Sequence, residues 1–133
     1  MKILALDYGA ARTGVAVSDP TGTLARPLGV VERAASKPGL EQLAGLVAEH
    51  EPDRVVVGLP LTLRGEHGEQ ARETLAFVDE LRAVVTVPIE TYDERFTTTL
   101  AATASGAKAP EDARAAAHLL AGYLEWLRSR TAG

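Results

Sequence analysis

Residues 1–19 read MKILALDYGAARTGVAVSD. Two runs of small and β-branched apolar residues, Lys2 to Tyr8 and Gly14 to Asp19, flank the turn-forming GAARTG, which predicts two strands of an antiparallel hairpin. The first run ends in a single carboxylate, Asp7, directly before Tyr8 and Gly9. A charge at the end of a buried strand is costly unless something pairs with it, so a partner side chain, backbone donors or a metal is expected at Asp7.

Working outward, Leu28 to Glu32 reads as a third strand after the turn PTGT, giving an antiparallel meander. The period then changes. Leu40, Leu43, Leu46 and Val47 fall at helical spacing behind Pro38 and Gly39, and the helix stops near His50. RVVVG (54–58) is a continuous apolar strand of the kind buried on both faces, and it leads into a loop beginning LPLTLRG. Ala71, Thr74, Leu75, Val78 and Leu81 mark a second helix. VTVPIETY (85–92) reads as a strand, DERFTTT follows, and a short extra helix is expected over Thr98 to Ala104. The last helix is the clearest, with Ala116, Leu119, Leu120, Tyr123, Leu124 and Leu127 on one stripe. The order β-β-β-α-β-α-β-α predicts an α/β fold with a mixed five-stranded sheet and helices on both faces.

The chain has 133 residues, the size of one ordinary domain. A hydrophobic content of 46% and a charged fraction of 24% are those of a globular protein, not a disordered one. No apolar run approaches the roughly 20 residues of a membrane-spanning helix. The N-terminus lacks the pattern of a secretory signal, and without cysteine there is neither disulfide nor thiolate metal site. A cytoplasmic location is expected. The net charge of -4 argues against coating nucleic acid by bulk electrostatics, while leaving room for a local basic patch.

Four acids stand at structurally related places. Asp7 ends the first strand, Asp93 and Glu94 end the last, and Asp112 opens the final helix behind Pro110. Functional groups of open α/β sheets gather beyond the carboxyl ends of strands, and Asp112 lies four residues before Ala116 on the stripe that faces the sheet. Converging carboxylates repel one another unless a cation joins them, and an all-oxygen set suits Mg²⁺ or Mn²⁺. Two such ions about 4 Å apart activate an attacking water and stabilise the leaving oxygen of a phosphodiester. Each acid also has an ordinary reading. Asp112 could cap its helix, Asp93 and Glu94 could be a turn residue and a partner of Arg95, and Asp7 could accept bonds from its own turn. The metal-site reading accounts for all of them together.

The stretches LDYGAARTGVAVSD, VVVGLPLTLRGEHGEQA, DERFTT and DARAAAHLLAGYLE, spread over nearly the whole chain, resemble the YqgF/RuvX family of Holliday junction resolvases and pre-16S rRNA nucleases. The resemblance implies a ribonuclease H-like fold and a metal-dependent nuclease. Its metal-binding and catalytic carboxylates would be Asp7, an acid of the Asp93–Glu94 pair, and Asp112. The same resemblance implies substrate contacts at Gly9, Arg12 and Thr13 in the first motif, Gly58 and Pro60 in the second, and Arg95 and Thr97 in the third. The chain departs from the usual family pattern at Thr62 and Arg64, at Phe96, and at Glu111, where helical phase favours Asp112 as the inward acid.

The leading expectation is hydrolysis of nucleic acid with Mg²⁺ or Mn²⁺, in processing of the 5′ end of pre-16S rRNA. RNA is favoured over DNA because an acidic chain offers no obvious basic face for gripping a four-way junction as a two-fold dimer; both monomer and homodimer stay open. The alternatives are a Holliday junction resolvase and a non-catalytic nucleic-acid-binding module on the same fold.

Overall fold

The computed structural model describes residues 1–60, 67–93 and 110–132. Its elements follow in the order β1 (Ile3–Asp7), β2 (Arg12–Ser18), β3 (Ala25–Glu32), α1 (Lys37–His50), β4 (Arg54–Leu59), α2 (Glu69–Arg82), β5 (Ile89–Asp93) and α3 (Glu111–Ala132). The strands form one sheet in the order β3-β2-β1-β4-β5. β1 pairs antiparallel with β2 and β2 with β3, whereas β4 runs parallel to both β1 and β5. The mixed five-stranded sheet anticipated from the element order is therefore the one formed. The short helix expected over 98–104 falls outside the described residues.

Strand pleating sorts side chains onto two faces. Ile3, Ala5, Ala16, Val56 and Tyr92 meet Ala116, Leu120, Tyr123 and Leu124 of α3 on one side. Leu4, Leu6, Val15, Val17, Val55 and Val57 meet Leu43 and Val47 of α1 and Phe77, Val78 and Leu81 of α2 on the other. β1 and β4 are covered on both faces, which is why their sequences are apolar throughout rather than alternating. Each large side chain so buried contributes about 1.5–3 kcal/mol against exposure. Trp126 and Leu127 close the margin of the α3 side. There Arg54 donates to the Tyr123 hydroxyl at 2.6 Å and lies 3.3 Å from Glu90, tying α3 to β4 and β5.

Several strand and helix ends shift by one or two residues from the sequence reading, and three larger or informative shifts have a local reason. β3 begins at Ala25 rather than Leu28, because it is an edge strand and Pro27 needs no donor there. α1 takes in Pro38 and Gly39, since Ser36 caps it by accepting from the Gly39 amide at 3.2 Å and proline suits the first turn. β5 begins at Ile89 rather than Val85. The amides of Val84 and Val85 are spent on the Leu81 carbonyl as α2 ends, and Pro88 has no amide to give.

At the opposite end of the sheet from the carboxyl ends of β1, β4 and β5, the turn after β2 is organised by Asp19. Its carboxylate accepts from the Thr21 hydroxyl, from the Leu24 amide at 2.9 Å and from the Thr23 amide at 2.7 Å. These bonds, Thr21's first, bring the Asp19 pKa from 3.8 down to about 2. A depressed pKa means that the stabilisation is present above the unfolded-state value and disappears as the pH falls through the folded one. The melting-temperature gap between wild type and Asp19→Ala is therefore expected to be widest above about pH 4 and to narrow toward pH 2, as checked by thermal unfolding across that range.

Candidate functional site

β1, β4 and β5 are parallel, so their carboxyl ends emerge on one edge of the sheet, together with the β1–β2 hairpin and the first turn of α3. Asp7 follows Ile3 and Ala5 at period two and so lies on the α3 face. Across the ladder it is paired with Gly14. A Cβ added to Gly14 would overlap the Asp112 carbonyl and lie 3.1 Å from the Ala113 nitrogen. The backbone of α3's first turn thus rests directly on the residue opposite Asp7, an approach open to glycine alone. This contact draws Asp112 toward Asp7.

The side chains agree with that placement. Arg12 Nε is 3.3 Å from Asp112 Oδ2, with both groups partly open to solvent. Glu111, its neighbour in the helix, is exposed. Of the two acids in the first turn of α3, the one facing the sheet is therefore Asp112.

The hairpin that carries Arg12 is closed from within. The Thr13 hydroxyl lies 3.4 Å from both the amide and the carbonyl of Gly9, and Thr13 is fully buried. A Cβ on Gly9 would come within 2.5 Å of the Arg12 carbonyl oxygen. Gly9 and Thr13 accordingly shape the turn, and Arg12 is the exposed group it presents. Gly58 comes one step beyond the Leu6–Val57 pair and opposite Tyr92, which puts a residue without a side chain beside Asp7. Pro60 follows at the end of β4 and is half-buried.

Asp93 closes β5 opposite Leu59. Because Tyr92 packs against Tyr123 on the α3 face, the pleat turns Asp93 to the other face. Glu94, Arg95 and Thr97 lie outside the described residues. Among the described residues no group of three acidic or histidine side chains is close enough to hold a metal. Tyr8 belongs to the α2 side, where its ring stacks on Phe77 with centroids 4.4 Å apart. Burial first, then Glu73 and Glu80, hold its phenol above the usual value, so it stays protonated near neutral pH. Two cations that sequence reasoning did not single out, Arg33 and Lys37, also belong to this edge. Arg33 donates its amide to the Ala11 carbonyl at 2.9 Å, a link between distant residues that no local pattern announces.

A family model described as RuvX, Holliday junction resolvase, matches residues 1–126. The chain belongs to that family. It is 50% identical over 99 residues to a protein of Chloroflexus aggregans named "Putative pre-16S rRNA nuclease", covering 74% of this chain and 70% of that one. A protein of the same name from Chloroflexus aurantiacus is 40% identical over 135 residues, covering 96% and 88%. Among solved structures, Thermus thermophilus RuvC in complex with Holliday junction substrate superposes with a TM-score of 0.70 at 16% identity, over 98% of this chain and 97% of that one. That likeness establishes a shared fold.

The Gly14 contact gives this RuvX-family site a direct test. Gly14→Ala is expected to push the first turn of α3 off the sheet and lower the unfolding free energy by about 1–3 kcal/mol in denaturant titration.

Proposed function

We propose that this RuvX-family chain is a nuclease that hydrolyses phosphodiester bonds of RNA, with the 5′ end of pre-16S rRNA as its substrate. The observation that carries the reading is the seating of Asp112 on Gly14, directly across the ladder from Asp7. The backbone that carries Asp112 thereby sits at the carboxyl edge of three parallel strands, beside the strand that ends in Asp7, where α/β sheets bind their ligands. The names of the Chloroflexus relatives supply the substrate class.

Asp7 and Asp112 are the hard oxygen donors that a divalent cation takes, and binding it would draw Asp112 from its pair with Arg12. Period two turns Asp93 to the opposite face and so favours the next residue in sequence, Glu94, as the third ligand. When bound, Mg²⁺ or Mn²⁺, as one ion or a pair, would neutralise the phosphate and activate water for attack on phosphorus. No protein nucleophile is then required. Gly58 puts no side chain beside Asp7 on that edge of the sheet. Arg12, exposed at the hairpin tip, orients a phosphate oxygen while its link to Asp112 steadies that carboxylate. Arg95 is assigned a phosphate contact and Thr97 a hydrogen bond to substrate or backbone. Work on ribosomal RNA belongs in the cytoplasm.

Resolution of Holliday junctions is the second reading, favoured by the family description and by the fold shared with a junction-bound RuvC. A chain of net charge -4 is less suited to a large DNA junction than to a single strand of RNA.

Cleavage of end-labelled single-stranded RNA, single-stranded DNA and a four-way junction, with Mg²⁺, Mn²⁺ or EDTA, separates these readings. Wild type is expected to cut RNA only with metal. Asp7→Asn, Glu94→Gln and Asp112→Asn should each lose more than about 100-fold, since even an outer partner of a metal ligand costs up to that much. Asp93→Asn should retain most activity. Full activity of Asp7→Asn would overturn the nuclease reading, and preferential cutting of the junction would move it to DNA.

A further inference from the structure

β3 leaves the sheet at Glu32, and the next residue, Arg33, has a φ of 47°. That left-handed conformation suits glycine, asparagine or aspartate far better than arginine. The backbone enforces it from both sides. The Arg33 amide donates to the Ala11 carbonyl at 2.9 Å, and its carbonyl accepts from the amide and hydroxyl of Ser36 at 2.9 and 2.6 Å. Gly39 packs so closely that a Cβ there would overlap the Arg33 carbonyl. Glycine at position 33 would meet every one of these demands with less strain.

Lys37 breaks a second local rule. It is the first residue of α1, whose first turn holds no acid, so a cation stands where the helix dipole favours an anion. Arg33 and Lys37 are both exposed, and no ion pair among the described residues involves either. Both violations fall beside the hairpin that carries Arg12, because Ala11 is bonded to Arg33 and Ser36, which precedes Lys37, is bonded to Arg33 in turn. Local rules broken together without a compensating contact point to function.

We propose that Arg33 and Lys37 form a phosphate-contacting strip that carries the nucleic-acid strand past the hairpin, on the β3 side of the carboxylates. The proposal rests on the nuclease reading for its ligand and extends it to where the strand runs. Glu32, opposite Arg12 in the ladder, offsets part of the charge, so the strip adds about two phosphate contacts rather than a broad basic face. This is the local patch that an acidic chain needs in order to hold RNA.

Binding of 5′-labelled oligouridine, followed by fluorescence anisotropy in EDTA between about 50 and 200 mM salt, tests the strip apart from catalysis. The Arg33→Gly/Lys37→Gln double variant should bind more weakly, with the slope of log affinity against log salt reduced by about 1.4, two contacts at roughly 0.7 each. Its melting temperature should rise, because glycine fits the left-handed position and the helix loses an unfavourable cation. Arg82→Gln, at the far end of α2, should leave the slope unchanged. A double variant that binds like wild type overturns the proposal, and so does weaker binding with a lower melting temperature, which would mark the residues as structural. If wild type binds with the expected slope and cuts no RNA in Mg²⁺, the nuclease reading falls and the strip stands.

Discussion

Backbone against backbone, Gly14 and Asp112 make the contact on which the rest of the site depends. Gly14 sits in β2 opposite Asp7, and the first turn of α3 lies on it with no room for a side chain. Removing one Cβ lets a helix approach a strand closely, and that approach converts residues far apart in sequence into neighbours. The long apolar stripe of α3 supplies the adhesion, through Ala116, Leu120, Tyr123 and Leu124. Gly14 fixes where along the sheet the helix begins, and hence where Asp112 comes to rest.

The electrostatics follow from this geometry. Carboxylates brought to one edge need positive charge, and Arg12 supplies some of it to Asp112 across 3.3 Å. An ion pair so open to solvent contributes little to stability, about 0–1 kcal/mol. Its effect is to hold the Asp112 carboxylate beside the hairpin while the guanidinium stays open to solvent. The aromatic and ionic cluster of Tyr123, Arg54 and Glu90 holds the same helix nearer its other end, well away from the edge. Anchoring and the presentation of Asp112 are thus divided along one helix.

Family membership and the placement of the acids support each other without being the same evidence. The family match spans residues 1–126 and rests on sequence. The placement of Asp112 rests on the approach of its backbone to Gly14, the ladder partner of Asp7. A fold shared with RuvC would alone say little about activity, because one fold hosts many functions.

Sequence by itself determined the element order, the apolar faces and the acids worth watching, because strand and helix periods are written locally in residues such as Leu4, Leu6, Leu119 and Tyr123. It also carried the family motifs. Boundaries set by hydrogen-bond competition were less legible: β5 begins at Ile89 because α2's last turn claims the amides of Val84 and Val85. Tertiary structure alone decided that β1 lies between β2 and β4 and that Asp93 turns away from the α3 face, while the inward turn of Asp112 rather than Glu111 agrees with the helical phase of the sequence. It also brought Arg33 to the hairpin. Each of these depends on contacts between residues distant in the chain, and such contacts leave no period in the sequence.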